Sequence, residues 1–361
     1  MGNKYWSCDE ISKIDVQYIM LLGPRGAGKS YSVTTKILKF AYESQTYQFA
    51  YLRRYRDDIK NDCVTSYFAD IDVKKITNGD YNAVISKNGW LYFALIDEED
   101  EYNVQYSRKI GKSFALTSAE HYKSLKYPQI IDIIFEEFIT DGFYLQNEPA
   151  KLQELVSSIL RDKKGRVWML GNTLSRVCPY FHEWGLECTK KLVPGEIKVI
   201  EVHGKDSKDR EYVTKIATEI CVADKAASGM FFGQRGKSIT GAQVWTGDRH
   251  SKLPGDYKFD YEVLYEFVLR DFSFEFVVQE LMHIESGNLV IYIYPKTTNR
   301  EIERVITSEF SIERLTSVSL YDNIKAEQKI KTLFRMKKYC FSDDSTGDDF
   351  EHVVEQREDV L

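Results

Sequence analysis

With 361 residues, 43% of them hydrophobic, the chain is long enough for two domains of about 100–200 residues with ordinary cores. The formal net charge of −6 argues against a nucleic-acid-binding surface over the whole chain and leaves local basic clusters as candidates. Six cysteines without a C-x-x-C pair, and no apolar run of about 18 residues, argue against a disulfide framework, a zinc site or a membrane span.

A glycine-rich loop, GPRGAGKS, lies between a predicted strand, VQYIMLL, and a predicted amphipathic helix, YSVTTKILKFAY. Glycines allow successive backbone N–H groups to point at anionic oxygens, and the amino end of a helix favours the same charge. Lys29 can reach the β- and γ-phosphates of a nucleotide, and the hydroxyl of Ser30 can bind Mg²⁺. The pattern predicts a P-loop for ATP and Mg²⁺ rather than a glycine-rich turn that binds nothing. The predicted nucleotide-binding residues of this segment are Gly23, Pro24, Arg25, Gly26, Ala27, Gly28, Lys29, Ser30 and Tyr31.

A second predicted strand, QFAYLRR, runs into the basic cluster that contains Arg53, Arg54 and Arg56. Such a cluster is by default a solvated face, and arginines at the end of a strand can pair with internal carboxylates instead of a partner. A β-rich insertion around AVISKNGWLYFALID and KSFALTS follows. The cluster is therefore only a candidate for nucleic-acid contact.

Two carboxylates follow the next long apolar run. Residues 130–135 predict a strand that is buried on both faces, as in a parallel sheet, and Glu136 and Glu137 come directly after it. Ligands of open α/β folds bind at the carboxyl edge of the sheet, where the P-loop also lies. We expect Glu136 to hold Mg²⁺ through its water shell and Glu137 to orient the attacking water. The alternative is a pair of exposed glutamates that ends a strand.

A helix with apolar residues at helical spacing, KLQELVSSILRDKKGR, and a further strand, RVWMLGN, complete this region. Asn172, at the end of that strand, is expected to sense the γ-phosphate or hold the lytic water. Alternating strands and helices predict an α/β fold, with a mostly parallel sheet and helices on both faces.

The second half of the chain begins with a charged and then helical-looking stretch around residues 201–229, which predicts a linker or lid that ends at Gly229, Gly233 and Gly236. Strands dominate from about residue 237, with a helix near YDNIKAEQKIKTLFRMKKY. The predicted domains are residues 1–203, a linker at 204–236, and residues 237–361.

In this order, the segments GPRGAGKSY, FAYLRRYR, KYPQIIDIIFEEF, LRDKKGRVWMLGN and SRVCPYF resemble the DNA-packaging motor ATPases of small tailed phages of the Salasvirus type. The resemblance covers about the first 185 residues and rests on several unrelated motifs that agree in order and spacing. It implies an ASCE-type, RecA-like ATPase that assembles into a homo-oligomeric ring, a pentamer in the family. The implied function is ATP-driven translocation of double-stranded DNA into a procapsid. The implied partners are the phage portal and a structural RNA, and the implied location is the host cytoplasm, with transient attachment to the procapsid.

The resemblance also assigns residues. The P-loop pair is Lys29 and Ser30, and the family's strand-end Asp–Glu pair corresponds to Glu136 and Glu137, so a longer glutamate stands at the magnesium position. The arginine that reaches the neighbouring subunit's ATP site matches Arg161, although Lys163 and Arg166 could compete for that role and Arg161 could simply cap a helix. The DNA-contacting residues implied are Arg54, Arg56 and Lys123.

The C-terminal domain resembles a degenerate ribonuclease-H-like nuclease fold. Its possible metal ligands are Asp260, Glu262, Asp271 and Glu275. We expect contacts with DNA, portal or RNA rather than nuclease activity, because phages of this type package unit-length genomes. Two other functions stay open: another P-loop DNA motor, such as a helicase or conjugative pump, and a nucleotide-gated assembly factor with negligible turnover.

Overall fold

The structure is a computed structural model that describes residues 5–97, 99–100, 102–123, 125–140, 143–161, 163–173, 177–186, 188–189, 192–205, 211–222, 250–302, 304–307 and 332–355. It divides into two compact units. The first unit holds the described residues up to 173 and from 183 to 222, and the second holds residues 177–182 and the described residues from 250 onward.

A nine-stranded sheet forms the first unit, with strand order β3-β4-β5-β2-β6-β7-β1-β9-β8. Its strands are β1 (Tyr18–Leu22), β2 (Gln48–Arg53), β3 (Ala83–Lys87), β4 (Trp90–Ile96), β5 (Val104–Ala115), β6 (Ile130–Glu136), β7 (Arg166–Leu170), β8 (Ile197–Lys205) and β9 (Glu211–Ile220). Six neighbouring strands pair in parallel, namely β5, β2, β6, β7, β1 and β9. The strands β3 and β4 at one edge of the sheet and β8 at the other pair antiparallel. The predicted α/β class with a mostly parallel sheet is confirmed.

Helices cover the sheet because their apolar residues recur at helical spacing. The helices of the described residues are α1 (Lys29–Glu43), α2 (Asn61–Tyr67), α3 (Val73–Ile76), α4 (Glu148–Leu160), α5 (Pro179–Glu183), α6 (Tyr257–Asp260) and α7 (Asp344–Glu355). Val33 and Ile37 of α1 pack in one cluster with Phe49 and Tyr51 of β2. The buried residues of α4 are not part of that cluster, and α4 contacts β6 and the 3₁₀ turn Leu116–Tyr122.

The stretch expected to be a linker is partly sheet. Residues 211–220 form β9, which pairs in parallel with β1, so the helical expectation for this segment is wrong. The predicted domain boundary at residue 203 also falls inside β8, and the first unit extends through Ile220. The β-branched residues of β9, such as Val213, Ile216 and Ile220, favour a strand once a parallel partner is available, and that partner is about 200 residues earlier in the chain. Gly229, Gly233 and Gly236 lie outside the described residues.

The second unit is built on a five-stranded sheet with strand order β13-β10-β11-β12-β14. Its strands are β10 (Tyr261–Asp271), β11 (Phe274–His283), β12 (Leu289–Pro295), β13 (Val305–Thr307) and β14 (Tyr339–Phe341). Alternate residues of β10, β11 and β12 form its core with Phe350 and Val353 of α7. Of the helix expected near YDNIKAEQKIKTLFRMKKY, only residues 332–339 are described.

The four candidate metal ligands of the second unit do not form one cluster. Asp260 and Glu262 lie at one end of the β10–β11 hairpin, and Asp271 and Glu275 lie at the other. Nine strand residues separate the two ends by about 30 Å. Within the described residues, no group of three His, Cys, Asp or Glu side chains is arranged to hold a metal ion.

In the part of the chain that the structure describes, none of the helices combines the length and the hydropathy that crossing a bilayer would require.

Candidate functional site

A cleft of about 930 Å³ lies at the carboxyl edge of the parallel strands of the first unit. The glycine-rich loop (residues 23–30), the end of β6 and the residues after β7 meet there. Its lining residues are Tyr5, Arg25, Gly26, Ala27, Gly28, Lys29, Ser30, Tyr31, Thr34, Arg53, Ser66, Tyr67, Asp70, Ile71, Glu136, Glu137, Leu170, Gly171 and Asn172. The structure therefore brings together the predicted metal and water-orienting residues with the predicted nucleotide residues other than Gly23 and Pro24, which do not line the cleft.

The glycine-rich loop takes a backbone path that side chains would oppose. Gly23, Gly26 and Gly28 have φ values of 148°, 81° and 95°, and Gly28 immediately precedes α1. A Cβ atom on Gly23 would lie 2.7 Å from the carbonyl oxygen of Cys221. Lys29, the first residue of α1, donates from Nζ to the carbonyl oxygens of Gly23 and Pro24, both at 2.9 Å. The loop is thus folded around its own lysine.

Lys29 is only 6% exposed, and its Nζ also donates to Oδ1 of Asn172 at 3.2 Å. Burial lowers the pKa of the Lys29 ammonium, and the neighbouring Cys221 and Glu136 oppose that shift. All three of its present acceptors are neutral oxygens. An anionic oxygen in the cleft would form a stronger, charge-assisted bond with the same ammonium.

Glu136 is the last residue of β6 and is buried. Its Oε1 accepts a hydrogen bond of 2.7 Å from the Tyr67 hydroxyl. Thr34 lies 2.8 Å from the Tyr67 oxygen and extends this network into α1. Burial raises the pKa of Glu136, whereas the neighbouring Ser30 and Tyr67 hydroxyls lower it. A cation at this place would relieve the cost of burying the carboxylate.

Glu137 follows β6 with φ of 57°, a left-handed conformation that non-glycine residues rarely adopt. Its side chain is half exposed, and Oε2 lies 2.6 Å from a terminal nitrogen of Arg53. A terminal nitrogen of Arg54 donates to the Glu137 carbonyl oxygen at 3.0 Å. The unusual backbone and both arginine contacts aim this carboxylate into the cleft.

Arg54 has a structural role in this chain. It is 4% exposed, and its Nε and one terminal nitrogen donate to the two carboxylate oxygens of Glu148, at 2.8 and 2.9 Å. The same guanidinium donates to the carbonyl oxygens of Glu137 and Phe138. A buried guanidinium bound in this way cannot reach a DNA phosphate, so the prediction that Arg54 contacts DNA is wrong. The alternative of pairing with an internal carboxylate is the one that the structure shows.

The other two predicted DNA contacts are exposed. Arg56 begins the 3₁₀ turn Arg56–Ile59. Lys123 follows the turn Leu116–Tyr122, and its Nζ lies 2.8 Å from Glu120 and 3.0 Å from Glu154. Exposed ion pairs of this kind exchange easily with other anions, because water screens them strongly.

Arg161 lies away from the cleft. It follows α4 and precedes β7, at the amino edge of the parallel strands, so the length of β7, about 16 Å, separates it from the carboxyl edge. Its side chain is exposed, and one terminal nitrogen donates to the Leu125 carbonyl oxygen at 3.2 Å. By contrast, Lys163 donates to two backbone carbonyl oxygens at 2.5 and 2.6 Å, and Arg166 donates to that of Ser12 at 2.6 Å.

Nine of the lining residues were not predicted as part of the site, and Tyr5, Arg53 and Tyr67 are three of them. Tyr5 is 60% exposed, and its neighbour Trp6 fixes it to the loop through a backbone N–H that donates to Ala27 at 3.1 Å. Tyr67 lies on α2, where no motif identifies it. The sequence marked Arg53 only as a member of the basic cluster with Arg54 and Arg56, and gave no sign that it lines the cleft.

Gly23→Ala is expected to lower the free energy of unfolding by about 1–3 kcal/mol, because the new Cβ would clash with a backbone oxygen as well as adopt an unfavourable φ. Urea unfolding of the purified variant measures the loss. The matched control is Gly79→Ala, since Gly79 also has a positive φ but nothing lies within 4 Å of its Cβ position. Equal losses for the two variants would contradict the predicted clash.

The model of the podovirus DNA encapsidation protein (Gp16) family matches residues 3–211 of this chain. A DNA packaging protein of Bacillus phage B103 is 29% identical over 202 residues, which is 54% of this chain and 57% of the relative. A DNA packaging protein of Bacillus phage phi29 is 30% identical over 166 residues, which is 45% of this chain and 44% of the relative. The chain spans about half the length of the curated relatives it matches.

Two solved structures share the fold over almost the whole chain. The bacteriophage phi-29 viral genome packaging motor assembly aligns with 98% of this chain and 99% of that chain, with a TM-score of 0.54 and 20% identity. The phi-28 gp11 DNA packaging motor covers 99% of both chains, with a TM-score of 0.50 and 19% identity. At this level of identity the likeness concerns the fold alone.

Proposed function

Because the chain belongs to the podovirus DNA encapsidation protein family, we propose that it is an ATPase that drives double-stranded viral DNA into a procapsid. One observation carries the ATPase part of the proposal. The glycine-rich loop, the buried Glu136 and the strand-end Glu137 line a single cleft, although more than 100 residues separate the loop from the glutamates. A P-loop and two carboxylates at one sheet edge suit phosphoryl transfer, which mainly requires positioning and charge stabilisation.

In this proposal, residues 23–31 hold the phosphates of ATP through backbone N–H groups and the Lys29 ammonium. Lys29 would exchange its bonds to the loop carbonyls and Asn172 for bonds to phosphate oxygens. Asn172 would then be free to contact the γ-phosphate or the attacking water. Arg25 and Tyr31 are exposed on the cleft wall and would contact the nucleotide from its solvent side.

Ser30 and Glu136 are suited to hold Mg²⁺, which prefers oxygen ligands and keeps part of its water shell. Both side chains line the cleft, the Ser30 hydroxyl lowers the pKa of Glu136, and Tyr67 fixes the carboxylate through its hydrogen bond. This arrangement supports a magnesium role for glutamate in place of the family's aspartate. When bound, the ion would neutralise charge on the transferring phosphoryl group.

Glu137 is the proposed water-orienting residue, with Arg53 as the group that positions its carboxylate. Arg161 is proposed to act on a neighbouring subunit of a homo-oligomeric ring, a pentamer by family resemblance. Its exposure and its distance from its own cleft support that role. Lys163 and Arg166 are the weaker candidates because they are less exposed and bond to backbone carbonyls at 2.5 to 2.6 Å, closer than the 3.2 Å bond of Arg161. Arg56 and Lys123 remain the proposed DNA contacts.

We also propose a separate role for each of the two units. The first unit would hydrolyse ATP, and a nuclease-derived C-terminal domain of the RNase-H-like type would contact DNA, the portal or a structural RNA. The motor would attach transiently to the procapsid in the host cytoplasm.

A packaging assay tests the proposal: the full chain is mixed with its procapsid, genome and ATP, and DNA protected from added nuclease is measured. Protected DNA that requires ATP is the expected result. DNA-stimulated ATPase activity separates a motor from a nucleotide-gated assembly factor. Strand displacement in a gel separates a helicase from a translocase on duplex DNA.

Glu137→Gln is expected to bind ATP with nearly wild-type affinity and to lose at least about 100-fold in hydrolysis rate, because the amide cannot take a proton from water. Equilibrium binding and phosphate release measure the two effects. Glu201→Gln is the matched control, since both glutamates are 51% exposed and each pairs with one cation or more. Loss of ATP binding together with turnover would assign Glu137 to folding rather than catalysis.

A further inference from the structure

Lysines and aromatic residues cover one side of the antiparallel strands β3, β4 and β5. We call this surface the lysine–aromatic face. It consists of Lys87, Trp90, Tyr92, Tyr106, Lys109 and Lys112. Trp90 lies opposite Lys87 on one neighbouring strand and opposite Lys112 on the other. Leu91 and Phe93, which alternate with Trp90 and Tyr92 along β4, are buried in the core, so the face lies on the other side of the sheet.

The ammonium groups of this face contact its aromatic rings. Nζ of Lys109 and Nζ of Lys112 lie 4.3 and 4.7 Å from the centroid of the Trp90 ring. Nζ of Lys87 lies 4.9 Å from the centroid of the Tyr106 ring. These cation–π contacts hold three positive charges in place on the surface.

Three other surface lysines of the first unit, in contrast, lie next to carboxylates. Lys39 lies 3.8 Å from a carboxylate oxygen, and Lys60 and Lys215 lie 2.8 and 3.1 Å from one. Within the described residues, no carboxylate lies within 4 Å of any lysine of the lysine–aromatic face. Burial lowers the pKa of Lys112, and its neighbour Lys109 lowers it further. Repulsion among unneutralised like charges is relieved when an anion binds.

We infer that the lysine–aromatic face binds the phosphate backbone of double-stranded DNA, an inference that rests on the function proposed above. A duplex hides its bases and presents a regular array of phosphates. Single strands are bound by stacking bases on free aromatic rings, and here ammonium groups already contact the rings. The face is therefore suited to bind phosphate groups rather than bases. Movement along DNA that does not depend on sequence requires this kind of contact.

A buried ring, Phe114, connects the face to a proposed DNA contact. Nζ of Lys112 lies 5.9 Å from the Phe114 ring, and Phe114 packs edge-to-face on Tyr122 with centroids 4.9 Å apart. Lys123 is the next residue after Tyr122. Lys123 and the lysine–aromatic face would thus be held in a fixed relation by the packing of Phe114 on Tyr122.

The test compares two triple variants of the full chain. The first replaces Lys87, Lys109 and Lys112 with glutamine, and the control replaces Lys39, Lys60 and Lys215, so the net charge changes equally. Binding of a short labelled DNA duplex is measured over a range of KCl concentrations. We expect the slope of log affinity against log salt to become shallower by about 0.9 for each phosphate that the protein no longer neutralises, up to about 2.7 for the first variant, and to change little for the control. Thermal unfolding checks that both triple variants are folded. If the first triple variant does not fold, the single variant Lys109→Gln takes its place in the same measurement.

Equal slopes for the two triple variants would overturn the inference, because net charge alone would then explain the binding. A variant that loses affinity for an RNA duplex of the same sequence but keeps its affinity for DNA would overturn DNA as the occupant. A wild-type chain that binds no DNA would refute the proposed function itself, which is a different result from either of these.

Discussion

Lys29→Ala is expected to abolish ATP hydrolysis, with a loss of at least about 100-fold in rate, because a preorganised positive charge next to the phosphates is removed. Lys29→Arg should be almost as inactive. The ammonium site is 6% exposed and shaped by three close oxygen acceptors, so a larger planar guanidinium does not fit it. Phosphate release in the presence of DNA measures both effects.

The control for this experiment is Lys39→Ala, on the same helix but with its side chain 63% exposed and outside the cleft. It should hydrolyse ATP at nearly the wild-type rate. If Lys29→Ala retained more than about a tenth of the wild-type rate, the assignment of residues 23–30 as a P-loop would be wrong, since a positioned phosphate charge contributes far more than that.

Arg161→Ala is expected to lower hydrolysis by about 10³–10⁵, the range found for arginine fingers, without weakening ATP binding. The reason is that its own cleft stays complete: Arg161 lies at the opposite edge of the sheet from Lys29 and Glu137. The defect would belong to the next subunit in the ring. The control is Lys164→Ala, because Lys164 is also exposed and also lies between α4 and β7. This variant should keep most of the activity.

Mixing two inactive variants separates action in trans from action in cis. Rings made from Arg161→Ala and Glu137→Gln subunits contain some interfaces at which an intact cleft receives an intact arginine. DNA-stimulated phosphate release should therefore pass through a maximum at intermediate mixing ratios. A flat, inactive profile from rings that demonstrably contain both subunits would refute the role in trans.

The sequence alone was sufficient for the features whose chemistry is local. The glycine-rich loop is a contiguous run with a strand before it and a helix after it, and the structure places β1 and α1 there. Residues 130–135 predicted a strand that is buried on both faces, and β6 extends this strand by one residue to include Glu136. Because parallel strands share a carboxyl edge, the meeting of loop and glutamates in one cleft could also be expected.

Only the tertiary structure determined which role each of several chemically similar side chains has. Arg53, Arg54 and Arg56 look equivalent in the sequence, yet Arg54 is buried because its partner, Glu148, comes from α4, 94 residues along the chain. Residues 211–220 form the strand β9 because they pair in parallel with β1, near the start of the chain. The lysine–aromatic face likewise depends on strand register, which brings Lys109 and Lys112 to Trp90. Burial and register are set by distant segments of the chain, so the pattern of neighbouring residues does not contain them.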